Sequence, residues 1–319
     1  MGKTVFILGT GFIGGSVLQG LLDENKYEIA ALCRDDKKAD KLNSLGVRPV
    51  MGTLHDDALL QKEAETADII LHVATADDKP SVESIVKGLE KRSKEKAPAI
   101  YIHTSGTGVL TVPTHPKELV FADKSQNLFD EKIPDNAPHR EMDLTIKRAV
   151  ESGKLNAKVS IILPPCIYGI GTGPFNRRSI QIPLYIHDAI KHNALQLYRP
   201  QLLWNNTHIK NLVTAYLTLL AHLESTTSTP PLYIIAETGE HAWREVYDIV
   251  DAELKKRNLI SKDAEPQINA EEYPSTETGT QSRSKSELLH EWGWKVEKLE
   301  SITESIAETI DHMQKIGEL

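Results

Sequence analysis

Three glycines near the start of the chain carry its plainest chemistry. Gly9, Gly11 and Gly14 stand as G-x-G-x-x-G, directly after an apolar run at residues 4–8 and at the opening of a helical pattern over 12–22. The first glycine permits a tight turn, the second lets a pyrophosphate approach the backbone, and the third lets helix pack closely on strand. The phosphates then meet a helix N-terminus, whose free N–H groups and dipole favour anions. With Thr10, Phe12 and Ile13 between them, these residues predict a dinucleotide cradle; a plain tight turn is the other use of such glycines. The next apolar strand, 27–33, ends at Cys33, followed by Arg34, with Lys37 and Lys38 close behind. A guanidinium there suits a 2′-phosphate, which it grips bidentately, so NADP(H) is expected ahead of NAD(H). Asp35 and Asp36 leave a second possibility, since a shift of one residue offers a carboxylate to a ribose 2′-hydroxyl. A solvated loop charge is the bland use of Arg34.

A second constellation lies on the helix expected over residues 138–152. His139, Asp143 and Lys147 are spaced i, i+4, i+8 and share one face. An aspartate that orients a histidine makes an acid–base pair near neutral pH; the same spacing also suits an ion-pair stripe on a surface helix. Asp143 itself has an ordinary pKa of about 4, and a lysine one turn away favours its ionised form. It is expected to be a poor proton donor unless burial outweighs the lysine, though it could serve as a base or orient another group. The twelve histidines show no metal-ligand spacing, so no metal is expected, and His72 in a strand more often satisfies a local backbone group.

The elements that must position these groups follow from the hydrophobic rhythm. Apolar strands are expected at 4–8, 27–33, 48–51, 67–74 and 99–104, with helices at 12–22, 36–45, 57–65 and 81–96 between them. Such alternation means βαβ units and a Rossmann-type, doubly wound α/β fold with a parallel sheet covered on both faces. Residues 106–135, rich in proline and charge, read as a long loop and a lid over a site. A sixth strand is expected at 158–163, helices at 180–193 and 209–223, a strand at 232–236, and helices near 243–256, 284–292 and 301–313. The domain reading is a dinucleotide-binding unit over 1–168, to which 207–236 returns, and a smaller substrate lobe from 169–206 and 237–319.

Composition narrows the partners. A net charge of −8 over 319 residues offers no basic footprint, so nucleic acid and anionic membrane surfaces are not expected. Cys33 and Cys166 are too few for a disulfide scaffold and read as reduced thiols. No apolar stretch approaches the roughly 18 residues of a membrane span, and the glycine-broken N-terminus reads as strand and turn rather than a leader. A cytoplasmic protein is expected.

On these segments the chain resembles the extended short-chain dehydrogenase/reductases, the NAD-dependent epimerase/dehydratase superfamily. The likeness rests on FILGTGFIGGSVLQGLL at the start, GTLHDDALL at 52–60, DIILHVATA at 68–76, PPCIYGIGTGP at 164–174, the HIKNLVTAYLTLL helix and SKSELLHEWGWK at 284–295. It is particular to uncharacterised fungal members with a GIGTGPFNRRSIQIP stretch. The resemblance implies an oxidoreductase that reduces a carbonyl, enone or imine-like small molecule, and a possible homodimer. It departs from the family where the family has Y-x-x-x-K: Asp143 stands in the tyrosine's place. The resemblance implies that Lys147 holds the nicotinamide ribose and that a hydroxyl follows the fifth strand. Thr104, Ser105 and Thr107 all stand there, the usual alignment would even permit Gly106, and Ser105 is preferred. Beside His139, the resemblance makes Tyr168 the other candidate proton donor. It places Leu54, Ala74 and Pro165 at the cofactor, Asp56 near the adenine, and Thr107, Cys166, Arg178, Trp204 and Asn205 at the substrate. Two other readings remain open, a catalytically silent cofactor sensor and a non-redox isomerase or lyase. An open pocket lined by Tyr168 and Trp204 favours an enzyme; a filled one favours the sensor.

Overall fold

A computed structural model describes residues 2–111, 118–269 and 280–319. The first half runs β1 (Lys3–Leu8), α1 (Phe12–Glu24), β2 (Tyr27–Cys33), α2 (Asp36–Ser44), β3 (Arg48–Met51), α3 (Asp57–Thr66), β4 (Ile69–His72), α4 (Lys79–Lys91) and β5 (Ala99–Thr104). Then come β6 (Phe121–Ala122), α5 (Gln126–Lys132), α6 (Arg140–Glu151), β7 (Ala157–Leu163), β8 (Cys166–Tyr168), α7 (Gln181–Lys191), β9 (Gln196–Tyr198) and β10 (Leu203–His208). The chain continues through α8 (Ile209–Ser225), β11 (Tyr233–Ile235), β12 (Gly239–Ala242), α9 (Trp243–Lys256), β13 (Gln267–Asn269), β14 (Ser284–Lys285), α10 (Leu288–Glu291) and α11 (Ser305–Lys315).

The main sheet is parallel, in the order β11-β7-β5-β4-β1-β2-β3. Its strands are apolar runs because both faces are covered: all four residues of β4 and all six of β5 are buried. Helices α1 and α8 pack together on one face, while α3, α4 and α6 cover the other. From β1 the chain winds first toward β3 and then, through β4, toward β11. The reversal leaves a crevice at the carboxyl ends of β1 and β4, the place where open α/β sheets take ligands.

A second core joins α7, α9 and α11 to the small sheet β12-β10-β8. Its anchor is α9, which turns Trp243, Val246, Tyr247, Val250 and Leu254 inward at helical spacing. Fully burying such side chains contributes about 1.5–3 kcal/mol each. Among the described residues no helix is long and apolar enough to cross a membrane.

Two sequence expectations are corrected. The described part of 106–135 is packed structure, not a lid: Phe121 and Phe129 are buried, and the fully buried Asp123 accepts hydrogen bonds from the backbone N–H groups of Ile235, Glu287 and Leu288. Residues 112–117 lie outside the described residues. The helix expected over 284–292 is confined to α10, because Ser284 and Lys285 pair with Phe121 and Ala122 as a strand.

Candidate functional site

The glycine turn has the geometry of a cradle. Gly9 sits at φ +97°, and a Cβ there would lie 2.4 Å from the Cα of Ala74 across the crevice. A Cβ on Gly14 would lie 2.0 Å from the carbonyl oxygen of Gly9, so helix and turn close only with glycine. At Gly11 a Cβ would meet nothing within 4 Å, which is the open approach a pyrophosphate needs. No side chain caps α1 and no acidic residue stands in its first turn, leaving its N–H groups available to an anion. The residues present thus fit a dinucleotide. A strap from the segment after β8 covers this end: a Cβ on Gly173 would lie 2.5 Å from the Gly15 carbonyl carbon, and the Thr172 N–H donates to Ser16 Oγ. The strap carries the Phe175 ring to 5.6 Å from Lys38 Nζ. Arg34 is exposed and has no ion pair among the described residues. Asp35 caps α2, its Oδ1 accepting from the Lys38 N–H at 2.9 Å.

Beside the cradle lies a cavity of about 570 Å³. Gly11, Phe12, Ile13, Val73, Ala74, Pro164 and Pro165 form the side next to the cradle; Ser105–Gly108, Asp77, His139, Ile167, Asn176, Ile180, Gln181 and Trp204 form the rest. Ser105 Oγ donates to Asp143 Oδ2 at 3.2 Å, while Asp143 Oδ1 is buried with no hydrogen-bond partner among the described residues. Burial pushes the Asp143 carboxyl up to about 7, against the opposing pull of the Ser105 hydrogen bond and the charges of His139 and Arg140. The condition set for Asp143 as a proton donor, that burial outweigh its cationic neighbours, is met. Helix α6 holds it there because Arg140, itself buried, donates to the Tyr233 hydroxyl and the Phe129 carbonyl and so pins the first turn. His139 precedes α6 in the left-handed region at φ 63°, a conformation that costs a non-glycine residue energy and concentrates at functional sites. Its Nδ1 lies 2.7 Å from Asp77 Oδ1, and that hydrogen bond holds the Asp77 carboxyl below its ordinary range.

Several expected residues stand elsewhere. Lys147 lies outside the cavity lining: its ammonium pairs with Glu151 and lies 3.6 Å from Asp130. Tyr168 is a packing residue, its hydroxyl donating to the Glu300 carbonyl at 3.1 Å and its ring set edge-on to His208. Cys166 is sealed in the smaller core, where burial pushes its thiol up to about 12. Arg178 pairs with Glu318 at 2.9 Å rather than facing the cavity. Asn205 is consumed within the lobe, donating to the Gly239 carbonyl and accepting from the Ser284 hydroxyl. Leu54 packs against the core beside α3, and Asp56 accepts from Thr53. Thr107 and Trp204 do line the cavity.

Sequence reasoning missed Asp77, whose signal was its place in the loop after β4. It also missed a buried polar row beneath the site. His72 lies 3.4 Å from both the Tyr101 hydroxyl and Ser81 Oγ, so side chains, not backbone, satisfy it. His103 packs edge-on against His72, and burial drives both rings toward the neutral form, His72 to about 4. Among the described residues no cluster of histidine, cysteine or carboxylate side chains could hold a metal.

Comparison with known proteins gives three kinds of likeness. Residues 1–89 match the model of the NmrA-like family. The chain is 28% identical over 299 residues to the oxidase ucsJ of an Acremonium species, covering 86% of this chain and 85% of that one. It is 27% identical over 240 residues to an uncharacterised protein of Schizosaccharomyces pombe, covering 74% and 75%. Among solved structures, a double mutant of the dTDP-glucose 4,6-dehydratase DesIV from Streptomyces venezuelae superposes with a TM-score of 0.70 at 16% identity, over 98% of this chain and 97% of that one. The chain therefore has the α/β architecture of the epimerase and dehydratase folds, a seven-stranded parallel Rossmann-like sheet with smaller sheets beside it.

Proposed function

We propose that this chain is an NADP(H)-dependent oxidoreductase that reduces a carbonyl, enone or imine-like group on a small molecule, with Ser105 and Asp143 delivering the proton. The observation that carries the reading is the Ser105–Asp143 hydrogen bond, set at the wall of a cavity that adjoins the glycine cradle. The unpaired Arg34 and the commitment of Asp35 to a helix cap support a 2′-phosphate over a bare ribose. The name of the Acremonium relative, an oxidase, points to the same broad chemistry.

When bound, the dinucleotide supplies a hydride. Reducing a carbonyl places that hydride on carbon and a proton on oxygen, giving an alcohol. In the reactive form the 3.2 Å contact runs the other way, from a protonated Asp143 to Ser105 Oγ. Ser105, on the cavity wall, gives its hydroxyl proton to the developing alkoxide and takes one from Asp143, which becomes a carboxylate. His139 and Asp77 line both this cavity and a polar depression whose wall includes Asp135, Glu141 and Arg148, so protons from solvent have a route back. The same pair run backwards makes Asp143 the base for oxidation.

Calorimetric titration with NADPH and NADH, followed by a panel of ketones, enones and imines scored by loss of nicotinamide absorbance, tests the reading. Tight NADPH binding and turnover of a panel member are expected, with Ser105→Ala lowering kcat by roughly 10²–10⁴. Tight binding without turnover of any member would refute it in favour of a cofactor-sensing protein.

A further inference from the structure

Polar atoms in the cavity wall and just behind it have no partner among the described residues. Asp143 Oδ1, Thr107 Oγ1 and Trp204 Nε1 are all buried without a hydrogen-bond partner among the described residues, in side chains at most 2% exposed. An unsatisfied buried donor or acceptor is costly. Thr107 and Trp204 both line the cavity and call for an occupant that bonds them, while Asp143 sits behind the wall, bonded to the lining residue Ser105. Two of the three are held together on one side. Ser282 Oγ donates to the Thr107 carbonyl at 2.8 Å, and Ser282 also pairs with Trp204 in an isolated β-bridge. Ser105 and Thr107 flank Gly106, whose backbone is extended (φ −167°, ψ 155°). In such backbone, residues two apart share a face and sit about 7 Å apart at Cα.

The rest of the lining sets apolar groups, with Phe12, Val73, Ile167 and Ile180 prominent, beside the polar Asp77, His139, Asn176 and Gln181, and among the described residues no lysine or arginine is part of it. Asp77 stands on the wall, so an anionic group on the substrate would meet a like charge there and no counter-charge among the described lining residues. A diphosphate-bearing sugar, such as the one the similarly folded dehydratase is named for, finds no counter-charge here.

We propose that the substrate is an uncharged, largely apolar molecule with two oxygen functions. The reacting carbonyl sits at Ser105; a second carbonyl or hydroxyl oxygen, two or three carbons away, accepts from the Thr107 hydroxyl and the Trp204 indole N–H. This rests on the oxidoreductase reading only in naming which oxygen reacts.

The test is calorimetric titration of the NADP-saturated protein with γ-oxovalerophenone, with valerophenone, which lacks the second oxygen, and with UDP-glucose. The diketone is expected to bind about tenfold tighter than the monoketone, and UDP-glucose not to bind. Thr107→Val and Trp204→Phe should each bring the diketone-to-monoketone ratio close to one. Thr107→Val is nearly isosteric, so the test stands even if the buried tryptophan variant fails to fold. Binding of UDP-glucose, equal binding of the two ketones to the unaltered chain, or binding of neither overturns the inference. Because binding is read without turnover, a diketone preference with no NADPH oxidation supports the substrate class and refutes the oxidoreductase reading alone.

Discussion

Replacing Asp143 by asparagine keeps the shape of a fully buried side chain and removes its titration. In the folded chain this carboxyl has a pKa of about 7, against an ordinary value of 3.8, so the folded state holds its proton more tightly than the unfolded one. Below about pH 4 both states carry the proton, and the carboxyl's contribution is at its most favourable. As pH rises, the unfolded chain ionises first and stability is lost until the folded carboxyl also ionises near pH 7, after which the loss is constant. At about 1.36 kcal/mol per pKa unit the loss reaches roughly 4 kcal/mol. The Asp143→Asn chain does not incur it. Its stability relative to the parent should therefore rise by up to roughly 4 kcal/mol between about pH 4 and pH 8, widening the Tm difference by roughly 8 °C for a chain of this size. Melting both chains by calorimetry across that range cancels every other titrating group to first order. A Tm difference that stays flat with pH would mean the carboxyl is ionised in the folded protein throughout, and the proton-delivery argument would fail. The same titration makes reductive turnover of the parent fall as pH rises through about 7, and Asp143→Asn should lower kcat by roughly 10²–10⁴.

Three further substitutions separate neighbouring assignments. Arg34→Ala should weaken NADPH binding by about tenfold or more and NADH by less than about twofold; equal losses would remove the 2′-phosphate from Arg34. Lys147→Ala should cost at most about 1 kcal/mol of stability, as exterior ion pairs do, and shift the NADPH Kd by less than about twofold. A tenfold weakening would put its ammonium at the ribose and refute the observed geometry. Tyr168→Phe deletes the bond to the Glu300 carbonyl and should cost about 1 kcal/mol in chemical denaturation, with kcat unchanged. A collapse of kcat would return the phenol to the reaction.

The parallel sheet was readable because its strands are buried on both faces and so are written as nearly continuous apolar runs, as in IILH of β4 and AIYIHT of β5. The cradle was readable because its whole specification is local: three glycines, a strand before and a helix after. The smaller sheet was not. Strand β10 reads LWNNTH, which as a sequence is polar, yet five of its six residues are buried because Asn205 and Asn206 find partners in Gly239, Ser284 and His241. That partnering spans segments far apart in the chain and leaves no periodic trace. The spacing of His139, Asp143 and Lys147 put all three on one helix face; α6 holds Asp143 and Lys147, whereas His139 precedes it in the left-handed region, and the three do not share one side of a cavity. Asp143 turns inward to Ser105, whereas Lys147, one turn later, meets Asp130 from a helix within the stretch read as a lid.

The tyrosine-to-aspartate departure and the position of Lys147 are best understood as one change. A phenol is too weak an acid at neutral pH, and in the reductases this chain resembles a lysine brings its pKa down. A carboxyl has the opposite defect, being ionised already, and a lysine beside it would deepen that defect. Asp143 can hold a transferable proton near neutrality only if burial dominates and the ammonium stays away. Both conditions are met: burial is the largest influence on its pKa, and Lys147 is turned to Glu151 and Asp130. The cation that remains nearest in sequence, Arg140, is tethered to Tyr233, Phe129 and Asp130, which spends its hydrogen bonds away from the carboxyl. The two positions therefore constrain each other. Placing tyrosine at 143 alone would set a phenol there with no lysine beside it, and under the proposed reaction the site would lose its proton donor matched to neutral pH.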